Sequence, residues 1–453
     1  MAVGIIAEYN PFHAGHAYQI AEIKKFSDAE IVAVMSGSFT QRGETAILDK
    51  WTRARLAISG GVDLVLELPF ISAVRSAQDF ARGGIRLLES LGVVDTLAFG
   101  AEFTDLSTLK LAAAAFDEKF FASELHRLMS AGTSYAAAVT KILAQVTELN
   151  EKILRQPNTI LAIEYLRALP KKISPLLIER VGAAYDDLTL RGKFSSASAI
   201  RAALYKNSSS WEKISACVND ETLRSLRGEI SADLLDEKIS ACVNDETLRL
   251  CGKFSSDLLD EKISACVDDE MLTALREEVS MGLVDEKFLF RPLMMRLLTA
   301  RVDELKKIFG MTEGLEYRLL NASSAKNFAE LVNILIGRRY TASRIRRLLI
   351  YVLLDLTAAE VAELDATTCA RVLAFNERGR SLLKKISAPT ITKLTKHLNR
   401  RDLYEHRRPL EPYQKILRLD VLATDLRAIL FETPRDLQSD FSTPPTFVHR
   451  LSD

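Results

Sequence analysis

Val3-Gly4-Ile5-Ile6-Ala7-Glu8-Tyr9-Asn10-Pro11-Phe12-His13-Ala14-Gly15-His16 is the stretch that decides the fold. Its first five residues form an apolar run of strand length. Asn10-Pro11 starts a turn, and helical spacing follows from Ala17 to Phe26. In an open α/β sheet, ligands bind in the crevice outside the carboxyl ends of the strands, and helix N-termini turn N–H groups toward phosphate. Gly15 allows a ligand close to the backbone. Two imidazoles at the helix start can donate hydrogen bonds to phosphate oxygens as charge builds up in phosphoryl transfer. A plainer meaning is a histidine that merely caps a helix; the strand before and the helix after favour nucleotide chemistry.

Working outward, strand and helix patterns keep alternating. Ala29 to Met35 is a second strand, ending in Ser36-Gly37-Ser38-Phe39, and Lys50 to Ser59 is helical. Val62 to Leu68 is a third strand stopped by Pro69, and Ser76 to Leu91 a helix stopped by Gly92. Thr96 to Phe99 is a fourth strand ending in Gly100-Ala101-Glu102, one helical stretch runs from Leu106 to about Val146, and Leu176 to Val181 is a fifth strand. Such alternation predicts parallel βαβ units, hence a Rossmann-like α/β sheet of nucleotidyltransferase type over residues 1–205.

The remainder divides differently. Residues 206–288 hold an internal repeat: Lys213-Ile-Ser-Ala-Cys-Val-Asn-Asp-Glu221 recurs from Lys238 and, with Asp268 for Asn, from Lys262. The expectation is a tandem duplication of a helical connection rather than a solenoid, since three units barely reach the number a solenoid needs. Residues 289–433 read as helix after helix, predicting a mostly α-helical C-terminal region, and 434–453 as a polar tail.

The 453 residues are 48% apolar and 26% charged, with 60 basic and 60 acidic side chains. A nucleic-acid surface must therefore be a local patch. No apolar stretch reaches membrane-span length, no secretory leader is apparent, and the cysteines lack Cys-x-x-Cys spacing. A soluble cytoplasmic protein without a metal site is expected. The candidate patch is Gly337-Arg338-Arg339-Tyr340-Thr341-Ala342-Ser343-Arg344-Ile345-Arg346-Arg347, with Arg400, Arg401 and His406-Arg407-Arg408 as extensions. A charge run is usually a solvated helix face; arginine in place of lysine, and an interleaved tyrosine, favour RNA.

Several motifs together resemble the bacterial tRNA(Met) cytidine acetate ligase family. They are Gly4 to His16, Met35-Ser-Gly-Ser-Phe-Thr-Gln-Arg-Gly-Glu44, Asp49-Lys-Trp-Thr-Arg53, Phe99-Gly-Ala-Glu102, Pro157 to Tyr165, Arg180-Val-Gly182, Glu313 to Arg318, Arg339 to Arg346 and Asn376-Glu-Arg-Gly379. The resemblance covers nearly the whole chain; Ser38, where many relatives carry Asn, and the triple repeat depart from it. It implies that acetate attacks the α-phosphate of ATP, and that the exocyclic amine of the wobble cytidine of elongator tRNA(Met) then takes the acetyl group. ATP, accompanied by Mg2+, is a substrate, and no prosthetic group is implied.

The same resemblance gives His13 and His16 the catalytic role. It places ATP along Ala7, Glu8, Tyr9, Asn10, Pro11, Phe12, His13, Ala14, Gly15, His16, Ala17, Tyr18, Gln19 and Ile20, and at Gly100, Asn158 and Arg180. Ser196, Ser198 and Arg201 would hold the triphosphate, unless the serines only cap a helix. Asn158 has the same plainer reading as a cap, Gly100 as a turn, and Arg180 as an edge charge. Arg338, Arg339, Arg344, Arg346 and Arg347 would bind tRNA. Gln41, Arg42, Glu44 and Lys50 lie on a loop that could close over acetate or the cytidine. A small-molecule adenylyltransferase and a non-catalytic RNA-binding protein are the rival readings.

Overall fold

The computed structural model describes residues 1–181, 195–205, 263, 267–312, 314–337, 340–404 and 409–449. The repeat of residues 206–288 therefore lies mostly outside the described residues. The chain forms two compact units. One comprises Met1–Asn10, Tyr18–Arg180 and Val284–Asp453; the other Pro11–Ala17 and Val181–Leu283.

The first unit is built on one sheet. Strands β1 (Ala2–Ala7), β2 (Glu30–Ser36), β3 (Leu64–Leu68), β4 (Val94–Ala101) and β5 (Ser174–Glu179) are parallel and lie in the order β5-β4-β1-β2-β3. β2 and β3 are buried along almost their whole length, as their unbroken apolar runs require. The helices between strands are α1 (Ala14–Phe26), α2 (Lys50–Ser59), α3 (Phe70–Ala73) and α4 (Ala77–Ser90), then α5 (Leu106–Ala115), α6 (Lys119–Ser130), α7 (Tyr135–Thr147), α8 (Glu151–Leu154) and α9 (Pro157–Ala168). Side-chain caps fix several of their starts: Asp49 accepts from the Thr52 N–H and Ser76 from that of Asp79. The stretch read as one helix from Leu106 to Val146 is three, broken at Phe116–Glu118 and at Gly132, which sits at φ 86°.

The chain runs β1 to β3 in one direction and returns to lay β4 on the other side of β1. The order therefore reverses between β1 and β4. In a sheet of this kind, that switch is where the carboxyl ends leave a ligand crevice.

Residues 289–433 are mostly helical, but they also contribute a sheet strand. β6 (Ala370–Phe375) pairs antiparallel with β3, extends the sheet to β7 (Thr390–Ile391), and pairs with β8 (Thr446–Phe447). The sheet is thus mixed. A six-residue segment among helices, apolar but for Arg371, has no period that separates strand from buried helix, which is why the sequence does not announce β6. Asn376 follows β6 directly and seals the junction: its amide donates to Asp63 Oδ1 at 2.9 Å, and its Oδ1 accepts the Gly379 N–H at 2.9 Å. Gly379 lies against the Asp63 carbonyl so closely that a Cβ would collide with it.

The polar composition of residues 434–449 conceals a built-in segment. Asp440 is buried and paired with Lys50 at 2.7 Å and with Arg371. Glu67 also accepts from Lys50, at 2.8 Å, and lies 3.3 Å from Arg371.

Candidate functional site

β1 ends in a strained turn. Tyr9 holds φ at 45°, a left-handed conformation that is costly for a bulky residue, and its side chain is buried. The two residues around it are occupied structurally: Glu8 Oε1 accepts the Gln41 N–H at 2.7 Å, and Asn10 Oδ1 accepts the Ile47 N–H at 2.8 Å. Along the segment expected to hold ATP, the side chains of Tyr9, Phe12 and Ile20 belong to the core, so only backbone or neighbouring polar groups there can meet a ligand.

The segment Pro11–Ala17 carries both histidines. The His13 carbonyl accepts the first helical hydrogen bonds, from His16 N at 2.8 Å and Ala17 N at 3.1 Å. His13 Nδ1 accepts the Gly15 N–H at 3.0 Å, and His16 Nδ1 accepts the His13 N–H at 3.2 Å. An imidazole nitrogen that accepts an N–H cannot carry a proton, so each ring bears its proton on Nε2. The rings lie 3.9 Å apart, and Phe12 flanks His16 at 5.6 Å. His13 thus caps α1 through its ring, and the cap fixes the orientation and tautomer of that ring.

A second cluster stands at the ends of β4 and β5. Glu102, just after β4, accepts from Asn158 Nδ2 at 2.6 Å and from the Thr159 N–H at 2.9 Å, and it pairs with Arg180 at 3.5 Å. Arg180 follows β5 and donates its own N–H to the Ala101 carbonyl at 3.1 Å. Gly100 is in register with Ile178, and a Cβ there would meet only the Ile178 carbonyl at 3.9 Å. Asn158 is not the cap of α9, a position held by Gln156; it occupies the first turn with its amide turned to Glu102. Three of the expected ATP contacts therefore stand in one group around Glu102. That residue was visible in the Phe99-Gly-Ala-Glu102 motif but had been given no role. A carboxylate gripping the first turn of a helix and an arginine is the signal that could have singled it out.

The loop from Gly37 to Asp49 differs from its expectation as a closing lid. Three arginines hold its carbonyls and two that precede it in the chain. Arg53 donates to Leu48 O at 3.1 Å, Glu8 O at 2.6 Å, Ser36 O at 3.1 Å and Gly37 O. Arg427 donates to Ala46 O at 2.9 Å and Ile47 O at 2.8 Å. Arg347 donates to Gln41 O at 3.1 Å. Burial and the nearby Arg427 charge lower the Arg53 pKa to about 10, and the carboxylates of Asp49, Glu8 and Glu67 oppose that shift. Lys50 is wholly buried on Glu67 and Asp440, which removes it from the candidates for acetate or cytidine. Gln41 spends its side-chain amide on Arg75 O at 2.8 Å.

Ser196 and Ser198 lie in the second unit. Ser196 Oγ accepts the Ala199 N–H at 3.0 Å, the geometry of a helix cap, and Arg201 reaches Ser198 Oγ at 3.5 Å. Of the five patch arginines, Arg338 and Arg339 lie outside the described residues. Arg346 pairs with Glu286, whose carboxyl is raised by burial against the pull of that arginine. Burial lowers the pKa of Arg347. Arg344 lies over the Tyr340 ring at 4.9 Å.

The sheet order, and a strand–turn–helix carrying two histidines, fit the nucleotidyltransferase class of α/β proteins. Residues 1–249 and 247–440 match the HIGH Nucleotidyl Transferase family. Proteins named tRNA(Met) cytidine acetate ligase are 33% identical in Thermoanaerobacter sp. over 98% of both chains, and 34% identical in Caldanaerobacter subterraneus over 98% of both. The chain belongs to that family, tRNA(Met) cytidine acetate ligase. The apo crystal structure of Thermotoga maritima TmcAL superposes with a TM-score of 0.78 at 28% identity, covering 99% of this chain and 100% of that one. A second crystal structure of the Thermotoga protein, bound with alpha-thio ATP, gives 0.77 at 27% over the same extents. No helix among the described residues is long and apolar enough to cross a membrane, and no three metal-ligating side chains gather among them.

Proposed function

We propose that this chain is an ATP-dependent ligase that transfers acetate to the wobble cytidine of elongator tRNA(Met). The observation that carries the reading is the pair of imidazoles held by backbone N–H groups so that both protons sit on Nε2. In the first step an acetate oxygen attacks the α-phosphorus, the bond from phosphorus to the bridging oxygen breaks, and pyrophosphate leaves. His13 and His16 donate their Nε2 protons as hydrogen bonds to phosphate oxygens, where negative charge grows. In the second step the cytidine amine attacks the acetyl carbon, loses a proton, and AMP departs. Both nucleophiles belong to substrates, so no side chain need form a covalent bond.

The proposal gives Asn158 and Arg180 to the nucleotide, positioned through Glu102, with Gly100 leaving room at the backbone. The backbone and polar groups of Ala7–Ile20, with Ser196, Ser198 and Arg201, complete the ATP contacts, and Mg2+ enters on the triphosphate. Arg338, Arg339 and Arg344 take RNA phosphates; Arg346 and Arg347 act there only if Glu286 and the Gln41 carbonyl release them. The names of the relatives, and the nucleotide analogue in the Thermotoga structure, support this assignment. Cytoplasmic action follows from the substrates proposed. Incubation with ATP, labelled acetate and tRNA tests it: label enters the RNA, and an unlabelled RNA beside intact ATP overturns it.

A further inference from the structure

A group of cations and aromatic rings extends beyond the arginine run. Tyr317, on helix Leu315–Asn321, leaves 52% of its surface exposed, and Lys306 Nζ stands 5.9 Å from its ring centroid. Lys306 closes the short helix Val302–Leu305, and the backbone after it is pinned: Lys307 O accepts the Ala358 N–H, and Phe309 N donates to Leu356 O, both at 2.8 Å. Beside Tyr317 in the chain, Arg318 lies over the Tyr340 ring at 5.5 Å and donates to the Ile334 and Leu335 carbonyls at 3.3 Å. Arg344 lies over the same ring, and the Tyr340 hydroxyl is tied to Thr312 at 2.8 Å. Arg346 and Arg296 are engaged by carboxylates.

Cations laid on aromatic rings keep their charge outward, and an exposed ring next to them is what single-stranded nucleic acid stacks on. We propose that Tyr317 is a stacking platform for an unpaired base of the RNA substrate, with Lys306, Arg318 and Arg344 holding the adjacent phosphates. The inference rests on the RNA-modifying reading above and extends it to residues outside the arginine run. Tyr317 is a binding residue here and takes no part in the reaction at the α-phosphate.

Titration of the full-length protein with tRNA, followed by filter binding, tests this. Tyr317→Ala and Tyr317→Leu should weaken the Kd about tenfold or more, whereas Tyr317→Phe should retain it. Lys306→Ala should reduce the slope of log K against log salt by about 1. Acetate-dependent ATP–pyrophosphate exchange without RNA should be unchanged in all four, which shows them folded. Wild-type affinity in Tyr317→Leu overturns the platform alone. A wild-type protein that binds no tRNA while exchanging pyrophosphate overturns the RNA reading and the platform with it.

Discussion

Asp440 and Lys50, 390 residues apart, form a wholly buried ion pair at 2.7 Å that fastens the C-terminal segment to the first residue of α2. Around it stand Glu67, Arg371 and Asp420, three carboxyls against two cations. Burial and the neighbouring Glu67 raise the Asp420 pKa well above 3.8, and its Oδ1 accepts the Phe70 N–H at 2.7 Å. Burial would raise Asp440 too, but Arg371 and Lys50 outweigh it and hold that carboxyl low.

The two aspartates should therefore respond oppositely to amidation. Asp440→Asn leaves two buried cations short of a partner and should cost about 3–5 kcal/mol at neutral pH. Asp420→Asn removes a carboxyl whose burial beside Glu67 favours the uncharged form, and should cost clearly less than Asp440→Asn. Urea unfolding at neutral pH measures both.

Their pH dependence has opposite signs. Asp440, lowered on folding, contributes stability above its unfolded value of 3.8 and loses it as pH falls through the folded value. Asp420, raised on folding, contributes fully below 3.8 and loses that contribution as pH rises through its folded value. Asp420→Asn should thus gain stability relative to the parent as pH rises from acid to alkaline. A constant difference across that range would show that Asp420 titrates normally.

Gln and Asn separate the two nitrogens of His13. Gln places an amide donor near Nε2, while the shorter Asn reaches only the Nδ1 position, where its Oδ1 can accept, and puts no donor at Nε2. His13→Asn should reduce acetate-dependent pyrophosphate exchange by about 10²–10³-fold, and His13→Gln by clearly less. Equal losses in both would mean that the Nε2 proton has no part in the reaction.

Glu102→Ala removes the anchor shared by Asn158 and Arg180. The KM for ATP should rise about tenfold with a smaller change in kcat, since the residue positions nucleotide contacts and does not meet the reacting atoms. An unchanged KM would detach this cluster from the nucleotide.

Arg53→Lys tests the clamp on the Gly37–Asp49 loop. A single ammonium cannot replace a fork that reaches four carbonyls, so about 3 kcal/mol or more of stability should be lost. Denaturant midpoints compared with the parent report it.

Local rules were enough for the first half of the chain. Apolar runs marked β1 to β5, and the helical spacings from Lys50 and Ser76 begin where Asp49 and Ser76 cap. The histidines could be read because strand, turn and helix are contiguous around them. Long-range partners could not be read. β6 acquires its character only by pairing with β3, and Asp440 looks like any acid in a polar segment until it meets Lys50 and Arg371. Arg346 and Lys50 looked like free cations for the same reason: Glu286 and Glu67 are remote in sequence. The masking of Glu102 was of another kind, since it stood within a quoted motif but its partners came from β5 and α9.

The central claim is tested most directly by the mass of the nucleosides recovered from tRNA(Met) after incubation with this protein, ATP and acetate. The account predicts cytidine carrying one acetyl group, formed with AMP and pyrophosphate and absent when acetate or ATP is withheld. Unmodified cytidine from the complete reaction, or an adenylylated small molecule formed without any requirement for RNA, would contradict it.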